Sequence, residues 1–82
     1  MDKMWRIKAE VKLKEGVLDV QGRAVEQVLR QEGYDVSGVR VGKMIEFITE
    51  KKMDLELLHE IGNKLLFNPV IETIEFFLEP VS

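Results

Sequence analysis

Residues that could perform catalysis or hold a metal are scarce in this chain of 82 residues. It has one histidine, His59, and no cysteine, which excludes disulfides, thiolate nucleophiles and cysteine metal sites together. Polar helical neighbours favour an ordinary surface role for His59 over a general base or a zinc ligand. The two serines, Ser37 and Ser82, have no histidine nearby in sequence, so a catalytic triad has no support. The fifteen carboxylates stand in no recognisable acid–base context.

The stretch GVRVGKM, residues 38–44, superficially resembles a phosphate-binding loop. The spacing from Gly38 to Gly42 is one residue short of the Walker A pattern, and Met44 stands where a hydroxyl residue would hold magnesium. We therefore reject this interpretation. Lys43 still interrupts an apolar alternation, which has two explanations. Either the strand bends and the amine reaches solvent, or the charge serves a subunit contact or an anionic ligand.

Composition indicates one folded domain, residues 1–82, with 45% apolar and 33% charged residues. No apolar run approaches the roughly 20 residues that span a bilayer, and the N-terminus has a strand pattern, so we expect a cytoplasmic protein. Residues 1–14 carry five basic and two acidic groups, whereas residues 44–82 carry three and eight. The net charge of −3 gives no basic footprint for nucleic acid.

Hydrophobic periodicity predicts three strand regions separated by two helices. Apolar and charged residues alternate without a slip in the first strand. The central stretch alternates as well, and it is either one strand bent at Gly42 or a hairpin. The predicted order is strand 4–14, a helix from the Asp19 cap to Gly33, strand 38–50, a helix from the Asp54 cap to Asn68, and strand 70–79.

This order predicts an α+β fold, a two-layer ferredoxin-like sandwich. Its antiparallel sheet would have three to four strands, with both helices on one face, in the order β-α-β(β)-α-β. The first and last strands would pair, which brings basic residues beside acidic ones on the open face of the sheet. Four large apolar side chains share that open face, which predicts self-association. The candidate oligomer-interface residues are Met44, Ile48, Ile71 and Phe77.

Three stretches carry a resemblance that covers nearly the whole chain. They are VKLKEGVLDVQGRAVEQVL (residues 11–29), GVRVGKMIEF (38–47) and NKLLFNPVIETIEF (63–76). In this order they resemble PurS, the small-subunit family of phosphoribosylformylglycinamidine synthase. The chain departs from the family at Val20, where proline is common, and at Phe67, where a small residue is usual.

The resemblance implies a non-catalytic bridging subunit in the fourth step of purine biosynthesis. It would join a glutaminase (PurQ-like) and a synthetase (PurL-like) subunit as a homodimer or higher oligomer and assist ammonia transfer. The chain itself would bind no cofactor, while the complex uses ATP, magnesium and glutamine. Neither nucleic acid nor membrane is expected as a partner. The candidate partner-contact residues are Arg40, Gly42, Lys43, Asn68 and Glu72.

Two other classes remain as alternatives. An ACT-like ligand-sensing domain shares the topology but needs a polar, glycine-rich loop after the first strand, where Glu15-Gly16 is a poor candidate. An RNA-binding sheet needs exposed aromatic residues among basic charges, and Phe77 lies among glutamates.

Overall fold

Strand β1 (Met4–Leu13) is the centre of a three-stranded antiparallel sheet. The computed structural model describes residues 4–81. Strand β2 (Lys43–Thr49) pairs with one edge of β1, and strand β3 (Glu72–Val81) pairs with the other. The sheet order is therefore β2-β1-β3, and the predicted antiparallel pairing of the first and last strands is confirmed.

The two faces of β1 differ as its alternation predicts. Ile7 and Ala9 are fully buried on the helix-facing side. Arg6 and Lys8 lie on the open face, with nitrogen atoms 3.1 Å and 3.6 Å from the Glu79 carboxylate. The basic first strand therefore meets the acidic last strand, as expected, although exposed ion pairs of this kind contribute only about 0–1 kcal/mol each.

Helix α1 (Val20–Gln31) and helix α2 (Leu55–Ile61) both begin after the predicted aspartate caps. Asp54 accepts a hydrogen bond from the backbone N–H of Leu57, at 2.8 Å. Gly33 has a φ of 94°, the left-handed conformation expected of the residue that ends α1. The sequence identified these boundaries because capping chemistry is local.

The second helix ends differently from its prediction. A π-helical turn, Gly62–Leu66, follows α2, and the backbone N–H of Phe67 bonds to the Gly62 carbonyl. The helical spacing of Leu58, Ile61 and Leu65 predicts that all three face the sheet, but the wider turn leaves Leu65 78% exposed. Asn68 does not end the helix in the left-handed conformation that asparagine tolerates. Its side chain instead accepts the N–H of Val70 and organises the turn before β3.

The strand predicted over residues 38–50 is shorter in the structure, where only β2 pairs in the sheet. Residues 34–42 are irregular, so the stretch is neither a bent strand nor a hairpin. The segment is extended without a partner strand: the N–H of Val39 bonds to the Glu26 side chain of α1, and the N–H of Val41 bonds to the cap residue Asp19. Alternating direction is a property of any extended backbone, and here a helix supplies the acceptors.

Helix α2 packs on the sheet through a small set of contacts. Leu58 is completely buried. The ring of His59 meets the ring of Phe76 edge-on, with centroids 5.4 Å apart. A methyl group added at Gly62 would lie 3.2 Å from the Phe76 ring, so the helix backbone packs closely against this side chain.

Helix α1 extends beyond the end of β1 together with the segment that follows it. The chain measures 53 Å along its longest axis. A ten-residue strand of about 33 Å and a twelve-residue helix of about 18 Å, placed end to end, account for that length. We call residues 20–42 the arm. Several of its apolar side chains remain uncovered, with Val25 43% and Val28 58% exposed.

The α+β class and its antiparallel sheet are confirmed, with three strands, and the arrangement is consistent with the ferredoxin-like layout. The radius of gyration is 16.4 Å, whereas a compact domain of this length has about 12 Å. Within residues 4–81, every helix is too short or too polar to span a bilayer.

Candidate functional site

Residues 4–81 contain no cluster of three or more histidine, cysteine or acidic side chains that could hold a metal. His59 is exposed apart from its contact with Phe76, in agreement with its predicted surface role. The described part of the chain shows exposed surfaces and a buried junction around Asp19.

The junction forms around Asp19, whose side chain is 6% exposed. One carboxylate oxygen accepts the N–H of Gly22 at 2.7 Å, and the other accepts the N–H of Val41 at 2.8 Å. The hydrogen bond from Val41, then that from Gly22, hold the pKa of Asp19 below its ordinary value, and Arg40 adds a smaller contribution; burial acts in the opposite direction. Asp19 is therefore held as a carboxylate between two parts of the chain.

Arg40 also joins the arm to the sheet. Its guanidinium nitrogen Nη2 donates to the carbonyl oxygens of Leu13, at 2.8 Å, and Lys14, at 3.1 Å. Its Nε lies 3.8 Å from the Asp19 carboxylate. These contacts are internal to the chain, so Arg40 stabilises the attachment of the arm to the end of β1.

Gly42 and Lys43 line a cleft of about 340 Å³ at the base of the arm. A methyl group added at Gly42 would lie 2.6 Å from the Val11 carbonyl oxygen, so the backbone approaches β1 closely there. Lys43 begins β2 opposite Val11 in a continuous register. Its position at the strand end exposes the amine without a bulge. Glu72 lines the same cleft.

The predicted partner-contact residues therefore lie in one region of the fold. Gly42, Lys43 and Glu72 share the cleft, and Arg40 stands beside it through Asp19. Asn68 adjoins the region, because its backbone N–H bonds to the Glu72 carboxylate at 2.7 Å. We call these five residues the contact cluster.

Asp19 and Gly22 organise this region, yet neither was among the predicted site residues. Asp19 was assigned only a capping role. A methyl group at Gly22 would lie 2.4 Å from the Val39 carbonyl oxygen, so glycine is required where the helix touches the returning chain. The signal was a glycine three residues after a cap, at a helical position where glycine is normally unfavourable.

The predicted oligomer-interface residues are all exposed, from 40% for Ile71 to 56% for Met44. Met44 and Phe77 line a common pocket on the open face, on opposite sides of β1. Ile48 lies opposite Arg6 near the other end of β2. Ile71 is in the turn before β3, because the strand predicted from residue 70 begins at Glu72, two residues later.

The family model for "PurS: Phosphoribosylformylglycinamidine (FGAM) synthase" matches residues 6–80. The chain belongs to the PurS family. It is 44% identical over 81 residues to the phosphoribosylformylglycinamidine synthase subunit PurS of Bacillus subtilis, covering 95% of this chain and 96% of that protein. The family match favours the synthase interpretation over the ACT-like and RNA-binding alternatives.

Solved PurS structures share the fold. The structure of Thermus thermophilus PurS superposes with a TM-score of 0.80 at 36% identity, covering 96% of this chain and 99% of that one. A chain in the structure of PurLQS from Thermotoga maritima gives a TM-score of 0.75 at 29% identity, covering 95% of this chain and 98% of that one.

Proposed function

We propose that this chain is the non-catalytic bridging subunit of a phosphoribosylformylglycinamidine synthase complex. It joins a glutaminase (PurQ-like) subunit to a synthetase (PurL-like) subunit and assists the transfer of ammonia between them. The observation that carries this proposal is the family match over residues 6–80. The likeness to a chain of PurLQS supports the same partners.

The amount of uncovered surface supports a bridging role. The chain exposes 6420 Å², whereas a compact monomer of its 9.5 kDa mass exposes about 5,000 Å². The excess of about 1,400 Å² is larger than the roughly 800 Å² that each partner contributes to a standard interface. One chain therefore has room to contact more than one other molecule.

Self-association through the open face is part of the proposal. Met44 and Phe77 adjoin a shared pocket, so a second copy could bury them together. Replacing both by serine should weaken the homo-oligomer roughly tenfold or more, because apolar area is lost from the interface. Light scattering over a concentration series measures this. Thr73→Ser on β3 is the matched control, and an unchanged oligomer in the double variant would contradict the role of this face.

The contact cluster is the proposed meeting point with the other subunits. It combines the amine of Lys43 and the carboxylate of Glu72 with a cleft wall that includes apolar Leu18 and Val20. In this division of labour ATP, magnesium and glutamine are bound by the partners, and this chain holds no cofactor. We expect the assembly to be cytoplasmic, as a purine-biosynthetic enzyme.

Reconstitution tests the function directly. The glutaminase and synthetase subunits are mixed with and without this chain, and product is measured with glutamine or with ammonium salt as the nitrogen source. We expect omission of the chain to abolish the glutamine-dependent rate while the ammonium-dependent rate persists. Full glutamine-dependent activity without the chain would remove the proposal.

A further inference from the structure

The side chains of the two aspartate caps accept different numbers of backbone hydrogen bonds. Asp54 accepts the N–H of Leu57 in its own helix. Asp19 accepts the N–H of Gly22 in its own helix with Oδ1, and its Oδ2 accepts the N–H of Val41 from another segment. Capping requires only the first of these contacts. The hydrogen bond from Val41 to Oδ2 of Asp19 is therefore not required for capping.

The arm is held together along its length by side chains of α1. The Glu26 carboxylate accepts the N–H of Val39 at 3.1 Å, and the Nε of Arg30 donates to the Val36 carbonyl at 2.8 Å. These bonds and the close approach at Gly22 hold α1 together with residues 34–42, which follow it.

The arm makes few contacts with the sheet. These contacts consist chiefly of the bond from Arg40 to the end of β1 and the close approach of Gly42 to Val11. The bond from Val41 to Asp19 ties together the two chain segments that connect the arm to the sheet. Because the apolar side chains of α1 are largely exposed, packing on the sheet contributes little to the direction of the arm.

We infer that Asp19 is a positioning residue that fixes the direction of the arm relative to the sheet. It thereby holds the exposed apolar side chains of the arm and the open sheet face in the mutual orientation that bridging requires. This inference rests on the proposed function, which it deepens. Its structural part, the fixed direction of the arm, is measurable without any partner.

Asp19→Asn separates positioning from capping. Asparagine caps helices about as well as aspartate, so α1 should still form. An amide has one acceptor oxygen, so either Gly22 or Val41 would then face an N–H₂ group instead of an acceptor, and Arg40 loses its anionic neighbour. Asp19→Ser is a second variant, since serine also caps but is too short to serve both segments. Asp54→Asn is the matched control.

The direction of the arm can be measured by pulsed electron paramagnetic resonance. The chain has no cysteine, so nitroxide labels attach only at the introduced Gln31→Cys in α1 and Glu75→Cys in β3. Dilution with unlabelled chain keeps the distances intramolecular. We expect a narrow distance distribution in the parent and the Asp54→Asn control, and a clearly broader one in both Asp19 variants. Equal widths in all four proteins would overturn the inference.

Activity provides the second readout, in the reconstituted complex. The chain concentration giving half-maximal glutamine-dependent activity should rise roughly tenfold or more for Asp19→Asn, as for the loss of a charged hydrogen bond. The maximal rate at saturating chain should be preserved. An unchanged half-maximal concentration would overturn the link between the junction and bridging. If the parent chain supports no activity, the proposed function fails, while the label distances still decide the role of Asp19.

Discussion

Helices α1 and α2 begin in the same way and then meet different surroundings. Each starts after an aspartate cap. Helix α2 buries Leu58 completely against the sheet, while α1 leaves Val25 and Val28 about half exposed. An amphipathic pattern therefore shows that a helix has an apolar face but does not say which molecule covers that face.

The largest expected difference between the helices is the loss of stability when an apolar side chain is shortened. Leu58→Ala should lower the free energy of unfolding by about 2–5 kcal/mol, because it opens a cavity in the core. Val28→Ala should cost the isolated chain less than about 1 kcal/mol, since its side chain is already exposed. Urea titration at low protein concentration measures both. Equal losses would mean that the arm folds onto the sheet in solution.

A second comparison uses the two buried helical glycines. Gly22→Ala places a methyl group 2.4 Å from the backbone oxygen of Val39, which cannot move without opening the arm. We expect a loss of about 1–3 kcal/mol. At Gly62 the methyl group meets the edge of the Phe76 ring at 3.2 Å.

The gain of about 1 kcal/mol in helix propensity should largely offset the strain of Gly62→Ala. Thermal unfolding of both variants tests the contrast. A Gly22→Ala variant as stable as the parent would show that the arm is looser than its contacts indicate.

The smallest expected effect is a pH dependence that distinguishes the arm from the sheet. The pKa of Asp19 lies below its ordinary 3.8, chiefly through the Val41 and Gly22 hydrogen bonds, and the pKa of Glu79 lies below its ordinary 4.5, chiefly through Arg6. Because both are lowered in the folded state, their stabilisation is present above the ordinary values and is lost as pH falls through the lowered ones.

Unfolding titrations between about pH 6 and pH 2 should therefore show declining stability. Asp19→Asn should flatten the decline more than Glu79→Gln, because the exposed Glu79 pair is screened by solvent. If Glu79→Gln flattens the decline more than Asp19→Asn does, the sheet pair rather than the arm dominates the acid dependence of stability.

Local chemistry predicted much of the fold. The alternation of β1 and β3 and the two caps depend on neighbours in sequence, and the structure confirms them. Residues 38–42 were misassigned because the extended segment bonds to side chains of α1 and its cap rather than to a neighbouring strand. The π turn that exposes Leu65 has no periodic signature in a short helix.

Part of the candidate site could also be predicted from the sequence, and part could not. The family resemblance supplied the contact cluster, and the structure gathers Gly42, Lys43 and Glu72 around one cleft. The second bond of Asp19 joins residues 22 positions apart. Such a contact depends on how the arm folds back, which the local pattern around the cap does not contain.

The most direct test of bridging is the native mass of the three-subunit mixture. We expect one assembly that contains the glutaminase and the synthetase subunits together only when this chain is present. If the two partners associate just as tightly in its absence, the chain does not connect them.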